Sequence, residues 1–229
     1  MQNKVELIGW YGGDRAIARA AWTSTQIDVD KKTDEQVRDL IVNKLWNNGT
    51  GKAHKTPFER GIVEFNITCC VASHIHIIKH RLLNVNGESA RYKELKEDKY
   101  YIPEDWKDIK RTDFVPLKAA EQFVVIQSWA DTLREYTEKG NTLYHQCLKD
   151  LTPVLGRKRA KESARYFKTY NSQITLSVMS NMSCFENFLK LRMDEAAQLE
   201  IREIAAKMLE CVKNIEGNPF KYTLEAWGY

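Results

Sequence analysis

The stretch KHRLLNVNGESARY, residues 79–92, concentrates polar side chains that bind phosphate groups or planar rings. Those side chains are, in chain order, Lys79, His80, Arg81, Ser89 and Arg91. Arginine presents a planar fork of donors that matches the oxygens of a phosphate or the edge of a pyrimidine. The stretch therefore indicates an anionic ligand, and the alternative for any one arginine is an ordinary salt bridge on a solvated loop.

The bulk composition places the chain among ordinary globular proteins. Its 229 residues are enough for one large domain, and we predict a single domain over 1–229. The 35 basic and 31 acidic residues leave a net charge of +4, which is too small to indicate a protein that coats nucleic acid. The basic run GRKRAKESAR, 156–165, suits anionic small molecules as well as it suits DNA.

The cysteines and the apolar segments indicate the compartment. Five cysteines without a CxxC pair do not form a disulfide framework, and this usage is typical of a reducing cytoplasm. The amino terminus lacks an apolar leader segment, and no window approaches the length of a membrane span. We therefore expect a soluble cytoplasmic protein, of a bacterium or of a virus-infected cell, that does not contact a membrane.

The hydrophobic pattern predicts an α+β fold. KVELIGWY and IVEFNITCCV have the alternation and the β-branched content of strands, whereas HIHIIKHR fits either a strand or a helix. Thr33 and Gln36 have the spacing of a capping box at the start of a helix. Helices are predicted from about residue 118 onwards, through most of 171–192, and over DEAAQLEIREIAAKMLECVKNI. The sequence thus predicts a small sheet from the first half and several long helices from the second.

Motifs for several common chemistries are missing from the sequence. His74, His76 and His80 lie near Cys69 and Cys70, but no HExxH or CxxC accompanies them, and we predict no metal site. The cysteines lack the basic neighbours that activate a nucleophilic thiol. GxGxxG and GxxxxGK[ST] are also absent, so a Rossmann or P-loop nucleotide site is not supported.

Several segments together resemble one protein family. KHRLLNVNGESARY resembles the RHRxxSxNxxSxRY signature of the flavin-dependent thymidylate synthases, and HKTPFER (54–60) resembles their H-x-[ST]-P-F-E-H segment. Further along the chain, AR at 164–165, Asn181, Asn187 and LR at 191–192 are spaced as in that family. DEAAQLEIRE and PFKYTLEAW are similar to its later segments. The resemblance covers nearly the whole chain in order.

The resemblance implies a fold, an assembly and a reaction. The fold would be a small antiparallel sheet packed with long helices, and the assembly a homotetramer with FAD and nucleotide shared across subunit interfaces. The reaction would be methylation of dUMP at C5 to dTMP, with methylenetetrahydrofolate as carbon source. FAD would donate the hydride and NADPH would reduce the flavin, with no cysteine nucleophile.

The resemblance also implies roles for individual residues. The FAD-binding residues would be His54, Thr56, Glu59, Lys79, His80, Arg81, Asn86, Asn181 and Asn187. The dUMP-binding residues would be His76, Ser89, Arg91, Arg165 and Arg192. Ser89, Arg91 and Arg165 would hold the phosphate, and His76 stands where the family usually has glutamine. Arg192 would be the catalytic group, because a cation at the uracil edge favours negative charge on the ring.

The chain also departs from the family pattern at several positions. Lys79 replaces the first arginine of the signature, Asn84 replaces its first serine, and Gly87-Glu88 alters the segment after Asn86. Ser183 replaces an arginine, and FK at 167–168 replaces a common LP. These changes leave two alternatives open. One is a related flavoenzyme that modifies another pyrimidine nucleotide, for example by C5 hydroxymethylation, and the other is a non-catalytic module that binds nucleotides or nucleic acid.

Overall fold

The computed structural model describes residues 2–25, 28–117 and 120–229, with side chains left out of the description for 113–126. The strands are β1 (Lys4–Tyr11), β2 (Ile62–Cys70), β3 (Asn84–Gly87), β4 (Lys110–Leu117), β5 (Ala120–Ser128) and β6 (Gln173–Asn181). The α-helices are α1 (Gly13–Trp22), α2 (Asp34–Arg38), α3 (Val71–Ile78), α4 (Trp129–Ala164), α5 (Met182–Arg192), α6 (Leu199–Lys213) and α7 (Lys221–Trp227). A π-helix over Asp39–Trp46 continues α2, and a short 3₁₀ helix covers Thr56–Arg60.

The strands form a small sheet and a separate hairpin. The sheet has the order β1-β2-β6-β3, with antiparallel pairing of β1 with β2 and of β3 with β6. The hairpin is the antiparallel pair β4–β5. Val63, Phe65 and Ile67 alternate along β2 and are fully buried, so one face of the sheet packs on the core. The prediction of an α+β fold with a small antiparallel sheet and long helices is confirmed.

The chain divides into two compact units. The first, called the sheet unit, comprises residues 3–68, 75–87 and 175–229. The second, called the long-helix unit, comprises Gln2, Cys69–His74 and the described part of Glu88–Ile174. The prediction of one domain over 1–229 stays a prediction.

The sheet unit is built around apolar helix faces that the sequence pattern indicates. The predicted inner face of α6 is fully buried, as listed here: Ile201, Ile204, Ala205, Met208 and Val212. Phe185, Phe188 and Leu189 of α5 are also fully buried, and Phe185 packs against Phe65 of β2 with ring centroids 5.8 Å apart. Strand β6 runs directly into α5, so this strand–helix connection crosses the centre of the unit.

The long-helix unit is organised by α4. Tyr144, Leu148, Ala160 and Ala164 form a buried cluster along this helix, and the Tyr144 hydroxyl accepts a hydrogen bond from the Leu95 backbone N at 3.1 Å. Gly156 interrupts the helix with a left-handed φ of 75°, three residues after Pro153. The loop 88–95 is held against the last turns of α4 by ion pairs described below.

Two predicted elements differ from the structure, and one ambiguous segment is resolved by it. The helix predicted from about residue 118 begins only at Trp129: residues 118–119 lie outside the described part, and Ala120–Ser128 is strand β5. The segment 171–192, predicted as largely helical, is strand β6 followed by α5. The ambiguous HIHIIKHR segment lies mainly in α3. In the described ranges, no helix combines the length and the apolar character needed to cross a membrane.

Candidate functional site

Helix α5 carries three of the predicted site residues, Asn181, Asn187 and Arg192. Asn181 is the N-cap: its Oδ1 accepts a hydrogen bond from the Cys184 backbone N at 2.8 Å. The cap uses the carbonyl oxygen and leaves the Nδ2 amide as the donor for a ligand. Asn187 lies on the exposed face of the helix, and Arg192 is its last residue.

The 54–60 segment is tied to the start of α5 by two contacts. The Gly61 backbone O accepts a hydrogen bond from the Met182 backbone N at 2.9 Å. Lys55 Nζ pairs with the nearly buried Glu186 at 2.5 Å. Between these contacts lies the 3₁₀ helix that carries Thr56 and Glu59, so both predicted FAD residues are fixed beside α5.

The turn after α3 reaches the other end of α5. Arg192 Nε donates a hydrogen bond to His80 Nε2 at 2.7 Å. The His80 ring also packs edge-on against Phe188, with centroids 4.9 Å apart and planes at 71°. Burial lowers the pKa of His80, and the positive charge of Arg192 and the neighbouring His76 lower it further. The residue predicted for the uracil edge therefore contacts a residue predicted for the flavin.

Strand β3 brings Asn86 to the same connection. Asn86 lies opposite Ser177 of β6 in the antiparallel pairing. Like Lys79, Arg81 and Asn187, Asn86 is exposed, and in the part of the chain that the structure describes these four side chains make no hydrogen bond. Two free cations and free carboxamides are the groups that a dinucleotide with a diphosphate and a polar ring system needs. The residues present therefore fit FAD.

The predicted FAD residues, Arg192 and His76 all belong to the sheet unit. Within it, Thr56 and Glu59 lie beside the start of α5, and His80 contacts Arg192 at the end of that helix. The roles assigned to the individual side chains stay predictions.

The residues predicted for the phosphate lie in the long-helix unit. Arg91 Nε donates to Glu162 Oε1 of α4 at 2.8 Å, and this pairing raises the pKa of Arg91 and lowers the pKa of Glu162. Ser89 shapes the same loop, because its Oγ accepts a hydrogen bond from the Arg91 backbone N at 3.3 Å. Arg165 follows Glu162 by three residues, so the two lie on one face at the end of α4. The unit thus links the loop with Ser89 and Arg91 to α4 through Glu162, three residues before Arg165.

The basic run before Arg165 is largely engaged with the protein itself. Arg157 pairs with Glu94, Arg159 lies 3.6 Å from Glu162, and Lys161 Nζ donates to the Tyr92 backbone O at 2.7 Å. The contacts of Arg157 and Lys161 fasten loop 88–95 to α4, and that of Arg159 lies within the helix. The basic run therefore stabilises the loop that carries Ser89 and Arg91.

The cysteines have the electrostatics of inert thiols. Burial raises the pKa of Cys69 to about 12 and also raises the pKa values of Cys184 and Cys211. A thiol that resists ionisation is a poor nucleophile. Over the described ranges, no group of three or more histidine, cysteine or acidic residues could hold a metal ion.

Three residues of these sites were not predicted from the sequence: Glu162, Glu186 and Phe188. Glu162 could have been found from its spacing, since a glutamate three residues before Arg165 shares its helix face. Glu186 directly precedes the predicted Asn187, but nothing in the sequence pairs it with Lys55. Phe188 has only the pattern of a core residue, because its contact with His80 depends on the tertiary fold.

The chain matches known proteins over most of its length. A family model described as thymidylate synthase complementing protein matches residues 6–216. The flavin-dependent thymidylate synthase of Rickettsia bellii (strain RML369-C) is 30% identical over 222 residues, covering 91% of this chain and 71% of that protein. The enzyme of the same name from Clostridium tetani (strain Massachusetts / E88) is 27% identical over 195 residues, covering 83% of this chain and 75% of its own.

Solved structures share the fold. The UMP/dUMP methylase PolB from Streptomyces cacaoi, bound with 5-Br UMP, aligns with a TM-score of 0.72 at 23% identity, over 99% of this chain and 93% of that one. The same methylase bound with 5-Br dUMP aligns with a TM-score of 0.70 at 22% identity, over 99% and 95%. With a family model that matches most of its length and a relative at 30% identity, this chain belongs to the thymidylate synthase complementing protein family, the flavin-dependent thymidylate synthases.

Proposed function

We propose that this chain methylates dUMP at C5 to give dTMP, with methylenetetrahydrofolate as carbon source and NADPH as the reductant. As a member of its family it is a flavin-dependent methyltransferase. The observation that carries the proposal is the hydrogen bond between Arg192, predicted for the uracil edge, and His80, predicted for the flavin. FAD, when bound, supplies the hydride that reduces the transferred one-carbon group to a methyl group.

The free polar side chains of the sheet unit would bind and orient the flavin. Lys79 and Arg81 are exposed cations next to His80, and they suit the diphosphate. Asn86, Asn187 and the Nδ2 amide of Asn181 would donate to oxygens of the cofactor. Thr56 and Glu59 would contact it from the 3₁₀ helix, and His54 from the segment just before that helix. Lysine at position 79 keeps the charge of the family's arginine but loses its planar fork, so it would bind phosphate as a point charge.

The long-helix unit would bind the nucleotide phosphate. Glu162 engages Nε of Arg91, so the terminal nitrogens of that guanidinium stay available for phosphate oxygens. Arg165 presents a second guanidinium on the same helix face, and Ser89 adds a hydroxyl. Two arginines and a hydroxyl provide charge and direction for a phosphate monoester.

Arg192 would act on the pyrimidine. A guanidinium at the uracil edge stabilises negative charge that develops on the ring as C5 attacks the one-carbon donor. The reaction then needs no covalent adduct to the enzyme, which agrees with the raised pKa values of the cysteine thiols. His76 would contact the nucleotide where the family usually has glutamine.

We also propose that the working form is a cytoplasmic homotetramer, with FAD and nucleotide bound by residues of more than one subunit. Family membership supports this assembly. We propose neither a metal cofactor nor a nucleic-acid partner.

The purified protein provides the test. Flavin absorption bands in the spectrum, and conversion of dUMP to dTMP that depends on both methylenetetrahydrofolate and NADPH, are the expected results. A colourless protein that forms no dTMP after FAD has been added would overturn the proposal.

Methylation or hydroxymethylation of another pyrimidine nucleotide is the second candidate. The departures at positions 76, 79, 84, 87 and 183 favour it, and the methylase whose fold this chain shares is named for both UMP and dUMP. Competition between dUMP, UMP and dCMP for turnover decides between the two. A kcat/KM for UMP or dCMP above that for dUMP, or a hydroxymethylated product, would establish the second candidate.

A further inference from the structure

We infer that His80 is a positioning residue, whose neutral imidazole holds the Arg192 guanidinium in place for the pyrimidine. The inference rests on the proposed function, because it concerns the residue assigned to the uracil edge. Its structural basis is the 2.7 Å hydrogen bond from Arg192 Nε to His80 Nε2.

The direction of this hydrogen bond fixes the protonation state of His80. A guanidinium has only donors, so His80 Nε2 must be the acceptor and must carry no proton. The single ring proton of the neutral imidazole then lies on Nδ1. The geometry thus requires one tautomer of one charge state.

The His80 ring contacts Phe188, and backbone hydrogen bonds fix the turn that carries it. Its plane meets Phe188 edge-on at a centroid distance of 4.9 Å. Its backbone N donates to the Ile77 backbone O at 3.0 Å, and its backbone O accepts from the Leu83 backbone N at 2.9 Å. A ring fixed in this way can act as a rigid stop for a flexible arginine side chain.

The hydrogen bond also orients the free edge of the guanidinium. Because His80 engages Nε, the end of the guanidinium formed by the two terminal nitrogens of Arg192 stays available to a planar ligand. Lysine has a single nitrogen, so it could not bond His80 and at the same time present a separate planar edge to the pyrimidine.

The charges around His80 favour its neutral form. Arg192 faces it from α5 and His76 from α3, while Lys79 and Arg81 flank it in its own turn. Among the described residues, no carboxylate contributes to the pKa shift of His80, which is downward. Protonation would abolish the acceptor and place an imidazolium against a guanidinium. Acid should therefore release Arg192 from its position.

The first test is the ring tautomer, which does not depend on activity. Long-range ¹H–¹⁵N correlation of the histidine rings at pH 8 should show His80 protonated on Nδ1, and Arg192→Ala should remove this preference. A His80 ring protonated on Nε2 in the wild-type protein would overturn the inference, whether or not the protein methylates dUMP. If the proposed function fails while the inference holds, the protein will not turn over dUMP, but His80 will still be protonated on Nδ1.

The second test is the pH dependence of kcat with saturating FAD and dUMP. His80→Gln keeps an acceptor oxygen but does not titrate, so it should retain kcat within several-fold at pH 8. It should also lose the acid limb of the profile, that is, the fall in kcat at low pH that protonation of His80 causes. His80→Leu should lower kcat by about tenfold or more, with a smaller change in the KM for dUMP. His74→Gln is the control, since it removes another histidine whose pKa is lowered by burial and should leave the acid limb unchanged. An acid limb that persists in His80→Gln would contradict the inference.

Discussion

At the scale of single residues, Arg91 is an exposed side chain that the fold restrains. Its Nε donates to Glu162, and among the described residues its guanidinium makes no other hydrogen bond. The carboxylate restrains an exposed, flexible side chain without using the terminal nitrogens. Preorganisation of this kind lowers the entropy that a ligand must overcome when it binds.

Replacing Arg91 should weaken binding through the phosphate alone. In Arg91→Ala we expect the Kd for dUMP to rise about 10- to 100-fold, because a charge-assisted hydrogen bond is lost. The Kd for deoxyuridine, which lacks the phosphate, should stay nearly constant. Isothermal titration calorimetry with both ligands measures the difference.

Arg159→Ala is the matched control. Arg159 also approaches Glu162, at 3.6 Å, but it is not among the predicted phosphate residues. We expect it to leave both affinities within about twofold, as is usual for an exposed ion pair. Equal losses for dUMP and deoxyuridine in Arg91→Ala would contradict the assignment of Arg91 to the phosphate.

Lys168 shows that one departure from the family pattern has a structural cause. Its side chain is nearly buried, and its Nζ bonds Asn141 Oδ1 at 2.8 Å, pairs with Asp98 and lies 4.5 Å from the Tyr144 ring centroid. Lysine therefore serves a polar network inside the long-helix unit, where the family commonly has proline. No ligand role is needed to explain it.

At the scale of elements, Asp14 links the start of α1 to the start of α7. Its carboxylate accepts hydrogen bonds from the Tyr222 N at 2.7 Å, the Thr223 N at 3.1 Å and the Thr223 hydroxyl at 2.6 Å. The turn before it requires glycine, since a Cβ on Gly12, with φ of 96°, would lie 2.3 Å from the Arg60 backbone O. The GG at 12–13 therefore both ends β1 and brings Asp14 to α7.

This contact predicts a pH-dependent stability. Burial raises the pKa of Asp14 to about 6, and the donors from Thr223 and Tyr222 oppose that shift only in part. Because the folded pKa exceeds the unfolded value of 3.8, the folded state binds the proton more tightly. The stabilisation that protonated Asp14 contributes is therefore complete below about pH 4 and is lost as the pH rises through 6. Over this pH range, ionisation of Asp14 lowers the free energy of unfolding by about 3 kcal/mol.

Urea unfolding of the wild type and of Asp14→Asn, between pH 4 and 6.5, measures this contribution. The difference in free energy of unfolding, wild type minus variant, should fall as the pH rises, since the amide does not titrate. The comparison cancels the carboxylates with lowered pKa values, such as Glu162 and Asp98, which act in the opposite direction. A difference that does not change with pH would show that Asp14 titrates normally.

Gly61 couples the 3₁₀ helix Thr56–Arg60 to α5 through a close approach. A Cβ at this position would lie 2.7 Å from Met182 Cγ and 2.7 Å from Phe220 Cε1. Gly61→Ala should therefore lower the free energy of unfolding by about 1–3 kcal/mol. Because it displaces the segment with Thr56 and Glu59, it should also lower the flavin content per subunit, read from the absorbance ratio.

Gly9→Ala is the control for that change. A Cβ on Gly9 would have no atom within 4 Å, so neither stability nor flavin content should fall. Unchanged flavin content in a clearly destabilised Gly61→Ala would separate the packing role of Gly61 from the proposed cofactor site.

Elements with local signals were predictable from the sequence. The capping box at Thr33 and Gln36 is present as expected, because both of its hydrogen bonds join residues three apart. Strand β6 was mistaken for helix, although Leu176, Val178 and Ser180 alternate as buried residues. Its state depends on a partner strand, β3, that lies about 90 residues earlier in the chain. The helical spacing of apolar residues in 182–192 extended the helix prediction backwards over the strand.

At the scale of the whole molecule, the order of the motifs along the chain was the most informative feature. It predicted the family, which the comparisons confirm, and a set of candidate residues whose roles stay predictions. It could not predict the contacts that organise them, such as Arg192 with His80 or Arg91 with Glu162, since these join residues 112 and 71 positions apart. Side-chain pairing over such separations is a property of the packed fold.

The central claim is that a guanidinium on α5 activates a pyrimidine at C5 beside a flavin. Release of tritium from [5-³H]dUMP tests it most directly, because methylation replaces the hydrogen at C5. We predict release that requires FAD, methylenetetrahydrofolate and NADPH together, and that falls at least about 100-fold in Arg192→Ala, as for loss of a group that stabilises developing charge. Flavin-loaded protein that releases no tritium, or an Arg192→Ala variant that releases it at the wild-type rate, would contradict the claim.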